Sequence, residues 1–132
     1  MAESAPTLVD RVGGVAAMRA LLREFYERLR DDPLVGLHFA GRDLDRIVEG
    51  QLGFLRKAFG DVAEFSGRHP SVAHRALAPI LRGQFDRRLV ILEQVLAEHG
   101  VAPDDRTRWI GVERSMRRVI EAPPGTGRRG RS

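Results

Sequence analysis

The sequence predicts an all-α domain, and three observations carry that prediction. Apolar residues recur at intervals of three and four through four long segments, no stretch alternates apolar and polar residues as a strand would, and Gly, Pro or Asp-Pro falls where each segment ends. The chain has 132 residues, which predicts one domain with a real core and leaves no room for two.

From Val15, the residues Met18, Leu21, Leu22, Phe25, Tyr26 and Leu29 share one helix face. Asp32-Pro33 stops this helix, because a residue before proline is pushed out of the helical region. After the short segment PLVGLHFAG, Asp43 is placed to cap a second helix. Its stripe is Leu44, Ile47, Val48, Gln51, Leu52, Leu55 and Phe59, and Gly60 closes it. Ser71 to Leu77 predicts about two helical turns, with Pro70 suited to their beginning. Phe85 to Glu98 predicts a third long helix stopped by His99-Gly100, and Trp109 to Ile120 a fourth. Pro123-Pro124-Gly125 then ends order, so residues 1–121 form the expected domain and 122–132 a disordered basic tail.

Composition narrows the chemistry. Hydrophobic residues make up 42%, charged residues 30% and aromatic residues 6%, ordinary values for a globular chain in water. There is no cysteine, which excludes disulfides, thiolate chemistry and covalent haem attachment through C-x-x-C-H. The N-terminus lacks the pattern of a secretory signal, and no apolar run approaches the roughly 20 residues that span a bilayer. A cytoplasmic protein without membrane attachment is expected. The net charge of +4 comes largely from arginine, and Arg128, Arg129 and Arg131 in the tail supply much of the excess. Elsewhere Arg alternates with Asp and Glu, as in REFYERLRDD, which predicts salt-bridged solvated surfaces and no specific nucleic-acid binding.

Three polar residues occupy positions where apolar ones belong. Tyr26 lies four after Leu22 and three before Leu29, and Gln51 four after Ile47 and four before Leu55. A tyrosine there ordinarily buries its ring and gives its hydroxyl to a carbonyl or water. A glutamine must find partners, or its burial costs about 1–3 kcal/mol. In FSGRHPSVAHRAL, His74 lies three before Leu77 on the inward side, while His69 precedes the proline. Spacing alone leaves His74 open between a satisfied histidine and a metal ligand.

The order of these pieces resembles the truncated haemoglobins, the two-over-two helical globins, from about Thr7 to Ile120. TLVDRVGGVAAMRAL resembles the family's opening, with Gly13-Gly14 ending a vestigial first helix. EFYERLRDDPLVGLHFAG resembles its most specific segment: a Phe-Tyr pair, Asp-Pro-Leu, an aromatic and a glycine. FSGRHPSVAHRAL resembles the stretch that carries the iron-ligating histidine, and FDRRL and LAEHGV fit the ends of the next helix. The resemblance is nearest to group I, although HRALAPILRGQF is about one residue longer than in that group.

The resemblance implies a cofactor and roles. Haem b (iron protoporphyrin IX) would be ligated by His74, with Tyr26 donating to bound dioxygen and Gln51 supporting it from the facing helix. Phe39, Ile47, Phe54 and Leu55 would line the pocket, and Arg68 and Arg75 would pair with the propionates. Arg88 departs from the pattern, standing where one branch carries Trp and another an aliphatic residue. The implied function is reversible binding of dioxygen, nitric oxide or carbon monoxide, with nitric oxide dioxygenation if an external reductase supplies electrons. The competing expectation is a haem-free globin-like sensor or interaction domain.

Overall fold

In the computed structural model, which describes residues 5–60 and 82–116, the first helix, α1 (Leu8–Arg11), begins in a capping box. The Thr7 hydroxyl accepts from the Asp10 amide at 3.2 Å, and the Asp10 carboxylate accepts from the Thr7 amide at 3.0 Å. Gly13 (φ 114°) and Gly14 (φ 99°) then take backbone conformations closed to other residues, and they redirect the chain into α2. The predicted punctuation is therefore present.

The longer helices follow in order: α2 (Val15–Asp31), a 3₁₀ turn (Gly36–Phe39), α3 (Leu44–Ala58), α4 (Arg82–Glu98) and α5 (Pro103–Ser115). Every described element is helical. Asp43 caps α3 by accepting from the Arg46 amide at 3.3 Å, and Gly60 and Gly100 end α3 and α4 with φ of 80° and 76°. α2 packs against α3, α4 and the 3₁₀ turn, and α4 packs against α5. The predicted stripes form the core: Met18, Leu21, Leu22, Phe25 and Leu29 meet Val48, Leu52, Leu55, Leu92, Val95 and Leu96. No described helix is long and apolar enough to cross a membrane. The expected helix at Ser71 to Leu77, the continuation of α5 to Ile120 and the basic tail lie outside the described residues.

Two elements begin earlier than the periodicity predicts. α4 starts at Arg82 and not Phe85, and α5 at Pro103 and not Trp109. The first turn of α5, PDDRTR, has Pro103 at its beginning and two acids favoured by the helix dipole. Its inward residue is Asp105, whose carboxylate accepts from Arg11 of α1 at 2.8–3.1 Å. That hydrogen bond, opposed by burial, holds the Asp105 carboxyl below the usual carboxylate range. A depressed folded pKa contributes stability that is complete above the unfolded value of about 3.9 and lost as pH falls through the folded value. Unfolding free energy should therefore decline with acidification below about pH 4, and less steeply in Asp105→Asn. Urea titrations of both proteins between neutral and acid pH provide the check.

The corner after α2 depends on close approach. Asp32 Oδ2 accepts from the Leu34 and Val35 amides at 3.0 and 3.3 Å, while Oδ1 accepts from Arg87 Nε of α4 at 3.0 Å. The returning chain runs so near the end of α2 that a Cβ on Gly36 would strike the carbonyl oxygen of Arg30. Backbone cannot yield as a side-chain tip does. Gly36→Ala should cost about 1–3 kcal/mol, read as a lower denaturation midpoint at unchanged slope.

Candidate functional site

The interior of this helical stack contains a polar chain that joins four helices. Tyr26 of α2 is buried, its ring 5.0 Å from Phe25 and 5.7 Å from Phe39 of the 3₁₀ turn, centroid to centroid. Its hydroxyl accepts a hydrogen bond from Arg88 Nη2 of α4 at 3.1 Å. Arg88 Nε donates to Glu113 Oε1 of α5 at 3.1 Å. The other oxygen of Glu113 accepts from Gln51 Nε2 of α3 at 2.8 Å. The Arg88 and Glu113 side chains are only 6% and 3% exposed, so this is a desolvated ion pair. The guanidinium carbon also lies 5.1 Å from the Phe25 ring centroid and 5.4 Å from that of Tyr26, within cation–π range.

Donor chemistry fixes the sense of each bond. A guanidinium only donates and a carboxylate only accepts. Gln51 must therefore turn its amide nitrogen towards Glu113, and the Tyr26 oxygen must act as acceptor towards Arg88. The Tyr26 proton is left over, with no acceptor among the described residues. Burial raises the Tyr26 phenol above its ordinary pKa; Arg88 opposes that shift and Glu113 adds to it. The hydroxyl thus remains protonated at neutral pH. For Arg88, burial acts to lower the guanidinium's pKa, but Tyr26 and Glu113 outweigh it and the charge is retained.

Tyr26, Gln51 and Phe39 are drawn together here. Leu55 is fully buried in the same core, and Ile47 and Phe54 pack against it half-buried. His38, beside Phe39, is buried with Nε2 3.1 Å from Gln84 Oε1, while its Nδ1 is enclosed without a partner among the described residues. The segment carrying Arg68, His69, His74 and Arg75 lies outside the described residues. The hydrogen-bonded path from Gln51 to Tyr26 runs through Glu113 and Arg88. Two surface clefts, one near Arg19, Asp45 and Glu49 and the other near Asp86, Glu93 and Arg114, do not include any member of this chain of bonds.

The sequence pattern did not pair Arg88 with Glu113. Their signal was available: Arg88 lies three after Phe85 and four before Leu92, and Glu113 four after Trp109, so opposite charges occupy core positions on two helices. Most of the arginine–carboxylate pattern is indeed surface pairing, as in Arg23–Glu27 at 3.0 Å and Arg106–Glu93 at 2.8 Å. This pair is the buried exception among the described ones.

The profile of the bacterial-like globins matches residues 7–122. The group 1 truncated haemoglobin LI410 of Chlamydomonas moewusii is 34% identical over 123 residues, covering 92% of this chain and 72% of that protein. A group 1 truncated haemoglobin of Synechocystis is 34% identical over 101 residues, covering 74% and 82%. Among solved structures, the ferric truncated haemoglobin of Tetrahymena pyriformis superposes with a TM-score of 0.77 at 25% identity, covering 87% of this chain and 97% of that one. These similarities make the architecture a two-over-two helical globin.

Proposed function

The chain belongs to the bacterial-like globin family with the truncated haemoglobins as its relatives, and from that membership we propose that it binds haem b through His74 and holds diatomic gases beside Tyr26. When bound, haem would be held by His74 and would supply an iron able to take dioxygen, nitric oxide or carbon monoxide. The residues present fit that group. Phe25, Phe39, Leu52 and Leu55 offer an apolar wall, and within it Tyr26 carries a proton without an acceptor among the described residues. Arg68 and Arg75, on the same segment as His74, are assigned to the propionates, and Ile47 and Phe54 to the pocket edge. The Tyr26 hydroxyl is the observation that carries this proposal, because a protonated donor held in a dry apolar site suits a ligand with partial negative charge.

In the cytoplasm, with an external reductase, the same pocket would support nitric oxide dioxygenation. Dioxygen, nitric oxide and one electron combine to nitrate, so each turnover draws one electron from outside the chain. Tyr26 would hold dioxygen while nitric oxide enters, and the apolar wall would exclude water. A haem-free interaction domain has no evident use for Tyr26, Gln51 and a buried ion pair joined in one interior.

Titration of the purified protein with haemin, then reduction and exposure to each gas, tests the proposal. Uptake of one haem per chain, a stable dioxygen complex and near-stoichiometric nitrate on addition of nitric oxide are expected. Absence of stoichiometric uptake would overturn it. Haem binding without nitrate would remove the dioxygenase role alone.

A further inference from the structure

A buried ion pair is poor evidence of stabilisation, because well-packed apolar residues of similar volume often hold a core as well or better. The Arg88–Glu113 pair therefore calls for another use, and its contacts indicate one. Glu113 anchors Nε of Arg88 at 3.1 Å, and the guanidinium then presents Nη2 to the Tyr26 oxygen at 3.1 Å. Phe25 and Tyr26 flank the guanidinium with their rings, restricting its other placements. Without Arg88, the Tyr26 hydroxyl would be free to turn inward and donate to the side-chain oxygen at position 113, a carboxylate oxygen in Glu113 and an amide oxygen in E113Q. With Arg88 in place, two donors would collide on that side. The phenol proton is directed away from Arg88.

We propose that Arg88, anchored by Glu113, is a positioning residue that commits Tyr26 to donating into the pocket and thereby favours dioxygen over carbon monoxide. This rests on the haem-binding function proposed above. Bound dioxygen is the stronger hydrogen-bond acceptor of the two, so a committed donor slows its release selectively. Gln51 takes part as the second donor to Glu113, at 2.8 Å, which fixes the carboxylate that fixes Arg88.

The test uses haem-loaded protein in four forms: unmodified, Y26F, R88M/E113Q and the three changes together. Replacing both members of the pair avoids leaving one charge buried alone. Dissociation of dioxygen and of carbon monoxide is followed by stopped flow. Because the chain contains a single tyrosine, ultraviolet resonance Raman of the phenol's Fermi doublet reports directly whether its oxygen accepts a bond.

Y26F should accelerate dioxygen release about 10- to 100-fold, the range for losing one strong hydrogen bond. R88M/E113Q should accelerate it about 10-fold, abolish the acceptor signature of the phenol, and leave carbon monoxide release within about 3-fold. The triple change should release dioxygen no faster than Y26F alone. Unchanged dioxygen release in R88M/E113Q would overturn the proposal. Equal acceleration of both gases would do so too, since it signals a loosened pocket, and so would an Arg88 effect that survives in Y26F. Haem uptake is measured first; its absence defeats the functional proposal itself and is thereby distinguished from failure of the Arg88 role.

Discussion

Replacing Arg88 alone with methionine should lower the unfolding free energy by about 3–5 kcal/mol, whereas R88M/E113Q should lie within about 1–2 kcal/mol of the unmodified protein. The difference arises from what each leaves behind. Glu113 is 2% exposed, and after the single change its carboxylate keeps, among the described residues, only the Gln51 amide as a partner in a desolvated core. The paired change removes both charges and retains an amide oxygen able to accept from Gln51. Domains of this size hold about 5–15 kcal/mol in total, so the single variant should melt much earlier. Urea unfolding followed by the fluorescence of Trp109, the chain's one tryptophan, measures both. Equal stability of the single variant and the pair would show that Glu113 does not suffer from losing its cation.

The second large effect concerns His74. If it is the iron ligand, His74→Ala should weaken haem binding by more than the about 10- to 100-fold typical of losing an outer-shell partner of a metal ligand. His69→Ala, five residues earlier and before Pro70, should leave affinity and ligand spectra unchanged. Competition with a haem-scavenging apoprotein gives both affinities. Imidazole added to the His74→Ala protein should restore the reduced spectrum in part, which a merely misfolded variant would not allow. If His69→Ala proves the more damaging change, the assignment of the ligand is reversed.

Much of the fold was legible because core burial imposes a period on the sequence. The stripe from Met18 to Leu29 and the one from Leu44 to Phe59 become α2 and α3, capped by Asp43 and ended by Gly60. The starts of α4 and α5 were not legible from that period. The opening turn of α5 is polar, and its buried residue Asp105 is offset by Arg11, 94 positions away in sequence. A long-range ion pair leaves no periodic trace.

The site divides along the same line. Tyr26 and Gln51 were legible as polar interruptions of apolar stripes, but the nature of their connection was not. The resemblance implied that Gln51 supports Tyr26 from the facing helix, and the structure joins the two through Glu113 and Arg88, a route that no spacing announced. Alternating arginine and carboxylate reads as solvated surface, which suits Arg23–Glu27 and misleads for Arg88–Glu113. Only packing distinguishes a charge on an outer helix face from one turned inward at the same spacing.

The family to which the chain belongs implies a haem, and we propose that Tyr26 would stand beside the gas it binds. The most direct test is the absorption spectrum of the haem-loaded, dithionite-reduced chain before and after carbon monoxide. The account predicts a five-coordinate reduced spectrum that converts fully to a carbon monoxide complex. Failure to take up haem would contradict it, and a six-coordinate reduced spectrum would mean that a side chain of the protein, with the buried His38 the first to replace, fills the position assigned to the gas.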